Sequence, residues 1–161
     1  VAITDGQHDV MLFSNAGKAV RFDEQDVRET GRASRGVRGM KLSQGQQVIS
    51  MLVAESEQQS VLTATENGYG KRTKVTEFPT KGRGGKGMIA IQASERNGPL
   101  VGSTQLFAGD EIMLISDQGT MVRTRGDEVS VVGRNTQGVR IKKLSGNEKV
   151  VSVIKIEDNI Q

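Results

Sequence analysis

A chain of 161 residues with 35% apolar and 25% charged residues has material for one domain or for several small units sharing a core, and no apolar run approaches the roughly 18 residues of a membrane-spanning helix. The lack of cysteine excludes disulfides and thiolate metal centres and fits a reducing cytoplasm, and residues 1–5 carry neither a basic leader nor a signal-peptide pattern. Lys+Arg at 22 barely exceed Asp+Glu at 19, so the net charge of +3 decides nothing about nucleic acid, and the placement of the cations must.

Taken in order, residues 1–4 read as the fourth strand of an earlier unit. Residues 10–14 are an apolar run, Asn15-Ala16-Gly17 is a turn, and residues 18–22 return with alternating character, which predicts a β-hairpin closed by glycine. A polar connection leads to Gly31-Arg32-Ala33-Ser34-Arg35-Gly36, then to a third strand over 37–42, a turn at Ser43-Gln44-Gly45 and a fourth strand over 48–53. The pattern then restarts. Residues 60–65 and 69–73 form a second hairpin, Gly82-Arg83-Gly84-Gly85-Lys86-Gly87 repeats the loop, and 88–91 repeat the third strand. Residues 111–116 and 120–124, Gly133-Arg134-Asn135-Thr136-Gln137-Gly138 and the strand at 150–156 make a third round.

The repeat is 51 residues long throughout: Gly17, Gly68 and Gly119 are that far apart, as are Arg21, Arg72 and Arg123 and the opening glycines of the three loops. No stretch longer than a turn has helical periodicity, so the fold expected is all-β, with about four strands per unit in the manner of propeller blades. The units run approximately 9–59, 60–110 and 111–161, with 1–8 closing a preceding blade. Three blades are too few for the usual closed disc. That leaves a piece of a longer array, three blades closed end to end, or an open arc shielded in an oligomer.

The segments Asp9-Val10-Met11-Leu12-Phe13-Ser14, Gly17-Lys18 and Val20-Arg21-Phe22, the run from Thr63 to Thr73, and Val132-Gly133-Arg134-Asn135-Thr136-Gln137-Gly138-Val139 resemble the carboxy-terminal domain family of DNA gyrase A subunits over essentially the whole chain. The resemblance implies a β-pinwheel, a propeller-like disc whose blades exchange a hairpin, of which this chain resembles the last three of six. The family's Gln-Arg-Arg-Gly-Gly-Lys/Arg-Gly box is matched by Lys81-Gly82-Arg83-Gly84-Gly85-Lys86-Gly87 at its last five positions only. Topoisomerase IV A subunits are the near alternative. The resemblance further implies wrapping of duplex DNA for negative supercoiling, with the rest of gyrase A and gyrase B as partners. Location is then cytoplasmic, at the nucleoid and away from membranes. ATP and magnesium are used in other parts of that assembly, so no cofactor and no catalytic residue is expected here.

Read from the residues alone, a loop repeated on one rim sets cations at regular intervals against a ligand with regularly spaced phosphates. Arg32, Arg83 and Arg134 have the planar fork suited to phosphate, and their glycines permit close approach of the backbone. Arg21, Arg72, Arg123, Arg35, Arg38, Lys71, Lys81, Lys86 and Arg140, with Lys142 and Lys143, broaden the stripe. Replacing Arg32, Arg83 or Arg134 by alanine is thus expected to weaken DNA binding without lowering the melting temperature. Arg21, Arg72 and Arg123 are equally placed to cap carbonyls between blades or to pair with Asp26, Glu77 and Glu128, which also recur at 51.

Other signals lead nowhere. Gly82, Gly84 and Gly87 spell G-x-G-x-x-G, but a strand follows where a dinucleotide site needs a helix. Tyr69, the only tyrosine, aligns with Lys18 and Thr120 and is no strand-cleaving nucleophile, and His8 has no companion for a metal. A protein-interaction scaffold is the competing use of such a disc.

Overall fold

The computed structural model describes residues 1–157. Its first sheet is built on the hairpin β1 (Asp9–Ser14) and β2 (Lys18–Asp23), with β3 (Val48–Ala54) antiparallel to β1. The second has the hairpin β4 (Ser60–Thr65) and β5 (Tyr69–Lys74). Beyond it come β6 (Met88–Ile89) and β7 (Leu100–Leu106), and β7 pairs with β4. The third has β8 (Glu111–Ser116), β9 (Met121–Arg125), the short β10 (Val139–Arg140) and β11 (Val150–Ile156), which pairs with β8.

The short strands do not stay at home. β6 pairs with β2 of the first sheet and β10 with β5 of the second, giving the orders β3-β1-β2-β6, β10-β5-β4-β7 and β11-β8-β9. Each of the first two sheets therefore takes its outermost strand from the following repeat. Three expectations are corrected here. Residues 37–42 form no strand, the chain there running irregularly with a bend at Gly39, and residues 1–4 form none either, with Val1 and Ile3 fully exposed. The third strand expected over 88–91 is only the two residues of β6, after which the chain bends. The last four residues of the third unit lie outside the described residues.

The sheets pack face to face and draw together along β3, β7 and β11, where the Ser50 hydroxyl accepts from the Ser103 amide at 3.0 Å and the Val53 carbonyl accepts from Gln105 at 2.6 Å. The edges carrying β6 and β10 lie on the opposite, outer side. Between the first two sheets, Met11, Phe13, Val61, Val75, Phe78 and Leu100 form one core, with Phe13 and Phe78 edge to face at 6.1 Å. Leu62, Leu106, Ile112, Leu114 and Val150 form the next core, between the second and third. The middle hairpin is covered on both faces, so every residue of β4 is buried, whereas β9 alternates between exposed and half-buried. Burial of each such large side chain contributes about 1.5–3 kcal/mol, and most of that gain comes from packing between repeats.

Candidate nucleic-acid interface

The second and third loops are bulges on an outermost strand. The Lys81 amide donates to the Arg21 carbonyl at 2.7 Å, the chain swings out through 82–86, and Met88 returns to pair with Ala19. One repeat later the Val132 amide donates to the Arg72 carbonyl at 2.9 Å and Val139 returns to Gly70. The closing glycines, Gly87 at φ +91° and Gly138 at φ +75°, seat this return. A Cβ on Gly87 would stand 2.7 Å from the Ala19 carbonyl oxygen. These glycines therefore serve backbone approach between blades, rather than the approach of phosphate.

The loop arginines are stapled backwards. The Arg83 guanidinium donates to the carbonyls of Asp26 (2.9 Å) and Arg38 (3.1 Å), and that of Arg134 to those of Glu77 (2.8 Å) and Ile89 (2.8 Å), at the same two sequence offsets. The return-strand arginines clamp forwards. Arg21 donates to Asp9 and to the carbonyls of Val75 and Phe78, and Arg72 to the carbonyl of Val129 at 2.7 Å. Their side chains are only 12% and 14% exposed, against 57% for Arg123, which pairs with Glu111 within its own sheet. Arg21 and Arg72 thus hold blades together. Of the carboxylates expected to pair with them, Asp26 and Glu77 offer their carbonyls to Arg83 and Arg134 instead.

Lys71, expected on the stripe, is wholly buried. Its ammonium enters the third bulge and donates to the carbonyls of Gly133 (2.7 Å), Arg134 and Thr136 and to the Thr136 hydroxyl. Burial pushes its pKa down to about 8. It is out of reach of DNA and fixes the loop from within.

Of the cations expected on the stripe, Arg32, Arg35, Arg38, Lys81, Lys86 and Arg140 are exposed, as are Arg83 despite its staple and Arg123 beside Glu111. Among the described residues, the side chains of the first five have no hydrogen-bond or ion-pair partner. Two rungs join the first loop to the second, Gly84 N–H to Gly39 C=O at 2.7 Å and Lys41 N–H to Gly85 C=O at 2.8 Å. The rungs bring Arg38, Lys41, Arg83 and Lys86 onto one stretch of outer edge. The next junction repeats the second rung, from Gln92 N–H to Thr136 C=O at 2.8 Å, but replaces these cations in register by Ile89, Gln92, Arg134 and Gln137.

A test separates the two kinds of arginine. Arg83→Ala and Arg134→Ala each remove two charged hydrogen bonds between repeats and should cost about 2 kcal/mol, visible as a lower melting temperature. Arg32→Ala should leave melting unchanged, so an equal drop for all three would refute the distinction.

Arg96 escaped sequence reasoning because it lies outside the repeated loop. Its guanidinium sits 4.2 Å above the Tyr69 ring and donates to the carbonyls of Gln137 and Gly138. Arg140 donates to the Tyr69 hydroxyl at 3.1 Å, and this bond holds the phenol below its usual pKa.

All-β blades of which the second and third each hand an outermost strand to the blade before define a strand-exchanging propeller, a pinwheel. Residues 8–55, 59–102 and 110–157 match the family described as DNA gyrase C-terminal domain, beta-propeller, and the chain belongs to that family. It is 58% identical over 157 residues to the DNA gyrase A subunit of Pseudomonas aeruginosa and 49% identical over 160 residues to that of Escherichia coli K12. These alignments cover 98% and 99% of this chain but 17% and 18% of those proteins, so the chain spans under a fifth of the length of these two relatives. Among solved structures, a DNA gyrase A C-terminal domain superposes with a TM-score of 0.86 at 32% identity, over 94% of this chain and 51% of that one. The C-terminal domain of DNA topoisomerase IV gives 0.90 at 27% identity, over 97% and 49%.

Proposed function

We propose that this chain binds duplex DNA without sequence preference and bends it around the outer edge of its blades, serving negative supercoiling by a DNA gyrase. Residues 9–59, 60–110 and 111–161 are the three blades of this reading. The observation that carries it is the junction of the first two loops, where backbone rungs gather Arg38, Lys41 and Lys86 beside Arg83 with no carboxylate among the described residues pairing them. Cations held on rigid edges at a repeated pitch suit phosphates, which carry charge and no sequence information. Identities of 49–58% to gyrase A subunits favour gyrase over topoisomerase IV.

Supercoiling itself belongs to the larger assembly, with the rest of gyrase A and gyrase B as partners and with ATP and magnesium used there. This chain contributes no catalytic group. Among the described residues no helix is long and apolar enough to cross a membrane, and the cytoplasmic nucleoid is the location that goes with the reading.

Bending a site of 20–30 base pairs costs about 1–6 kcal/mol, which several phosphate contacts must offset. With roughly six phosphates neutralised, a plot of log K against log salt should have a slope of about −5. A labelled duplex titrated at two salt concentrations measures it. No binding at low salt would refute the proposal, and a strong preference for one sequence would refute its non-specific form.

A further inference from the structure

The second junction carries fewer cations in its bulge than the first, but it carries others beside it. Where the first junction has Lys18 and Ile89 in register, the second has Tyr69 and Arg140, which face each other across β5 and β10. A third side chain, Arg96, reaches the same phenol ring from the turn before β7, at a register position held in the first repeat by Gly45.

Two guanidinium groups therefore share one aromatic ring, at 4.2 and 5.6 Å from its centroid. Among the described residues neither is paired with a carboxylate. Such neighbours repel, and the arrangement persists because the backbone holds it. Asn97, wholly buried, donates to the carbonyls of Gln92 and Gln137, and the Asn67 amide donates to those of Glu95 and Arg96. Arg96 commits its Nη2 to the third bulge and its Nε to the Asn97 side-chain oxygen. Arg140 directs one N–H at the Tyr69 oxygen and keeps its others free toward solvent, and the Tyr69 hydroxyl keeps its own hydrogen to donate.

We propose that Tyr69 and Arg140, braced by Arg96, form a clamp for a DNA backbone phosphate, continuing the basic track across a junction whose bulge has lost its lysines. Resting on the DNA-binding reading above, the inference names contacts that lie outside the repeated loop. The free N–H groups of Arg140 and the Tyr69 hydroxyl donate to the non-bridging phosphate oxygens. Arg96 keeps the ring in place and adds positive potential without leaving its carbonyl partners.

The chain has one tyrosine and no tryptophan, so its intrinsic emission reports from this clamp alone. The experiment titrates the chain with a 30-base-pair duplex, following total binding by anisotropy of a labelled duplex and the clamp by tyrosine emission corrected for absorption. Emission should change in parallel with binding. Arg140→Ala should weaken binding about fivefold and make the salt slope less negative by about 1. Tyr69→Phe, which keeps the ring and loses the hydroxyl, should weaken it about threefold. Absence of any anisotropy change in the unaltered chain would overturn the DNA reading and the clamp together. Binding with unaltered tyrosine emission, or with full affinity or an unchanged salt slope in Arg140→Ala, would overturn the clamp and leave the reading standing. Should Arg140→Ala melt early, Tyr69→Phe decides: full affinity there overturns the clamp.

Discussion

Gly68→Ala is expected to destabilise the chain by about 3 kcal/mol, whereas Gly119→Ala, at the same place in the next repeat, should cost about 1 kcal/mol. Both glycines end a hairpin turn with positive φ, +86° and +80°, so both variants carry the left-handed backbone penalty of roughly 1–2 kcal/mol. Only at Gly68 does the following repeat close in. A methyl group there would overlap the Lys142 carbonyl, whose neighbours rest on this turn through amide hydrogen bonds from Ile141 and Lys142 to the Gly68 carbonyl. Forcing that overlap adds about 1–3 kcal/mol. At Gly119 nothing lies within 4 Å. Urea denaturation of the two variants beside the unaltered chain measures the difference, and equal losses would show that the turn conformation alone sets the cost. For a chain of this size 3 kcal/mol corresponds to a fall of about 10 °C in melting temperature.

Lys71→Met should cost about 2 kcal/mol and loosen the third bulge specifically, because the carbonyls of Gly133 and Arg134 lose a donor inside the fold. Hydrogen exchange should quicken at the amides of the bulge while those of β4 stay protected. The pH dependence has a definite sign. The folded pKa of about 8 lies below the ordinary 10.5, so the unfolded chain holds this proton more tightly. The penalty of burying the charge is fully present below pH 8 and is relieved as pH rises from about 8 to 10.5. The stability of the unaltered chain relative to Lys71→Met should therefore increase across that window. A difference that stays flat from about pH 7 to 10 would place the ammonium in a wetter setting than the structure shows.

How far the sequence can be read depends on where each signal resides. The hairpins are legible because their turns need glycine and their strands need apolar alternation, and both recur every 51 residues. The strands at 60–65, 111–116 and 150–156 have the ends expected of them. From the residues alone, which sheet owns β6 and β10 is not legible. A two-residue strand has no periodicity, and its partner is an edge that composition does not mark; only the family resemblance implies the exchange. The arginine staples are hidden for a different reason. They end on backbone carbonyls, which every residue has, so no partner side chain announces them. Lys71 does leave a trace, as the one lysine at a register position held by Val20 and Val122. A cation at an apolar place in a repeat marks a buried role, and counting it with the basic stripe overlooks that register.

The borrowed outer strand also constrains the order of folding. Lys18 pairs with Ile89 and Tyr69 with Arg140, each across 71 residues, so neither sheet can be finished until the following repeat has been made. On the ribosome the first hairpin emerges with one edge bare and keeps it bare until the second repeat arrives to cover it. Closing so long a loop is slow, and a bare edge invites the wrong neighbour. The fixed 51-residue spacing keeps that exposure to one blade at a time, and each completed junction leaves only the newest edge open.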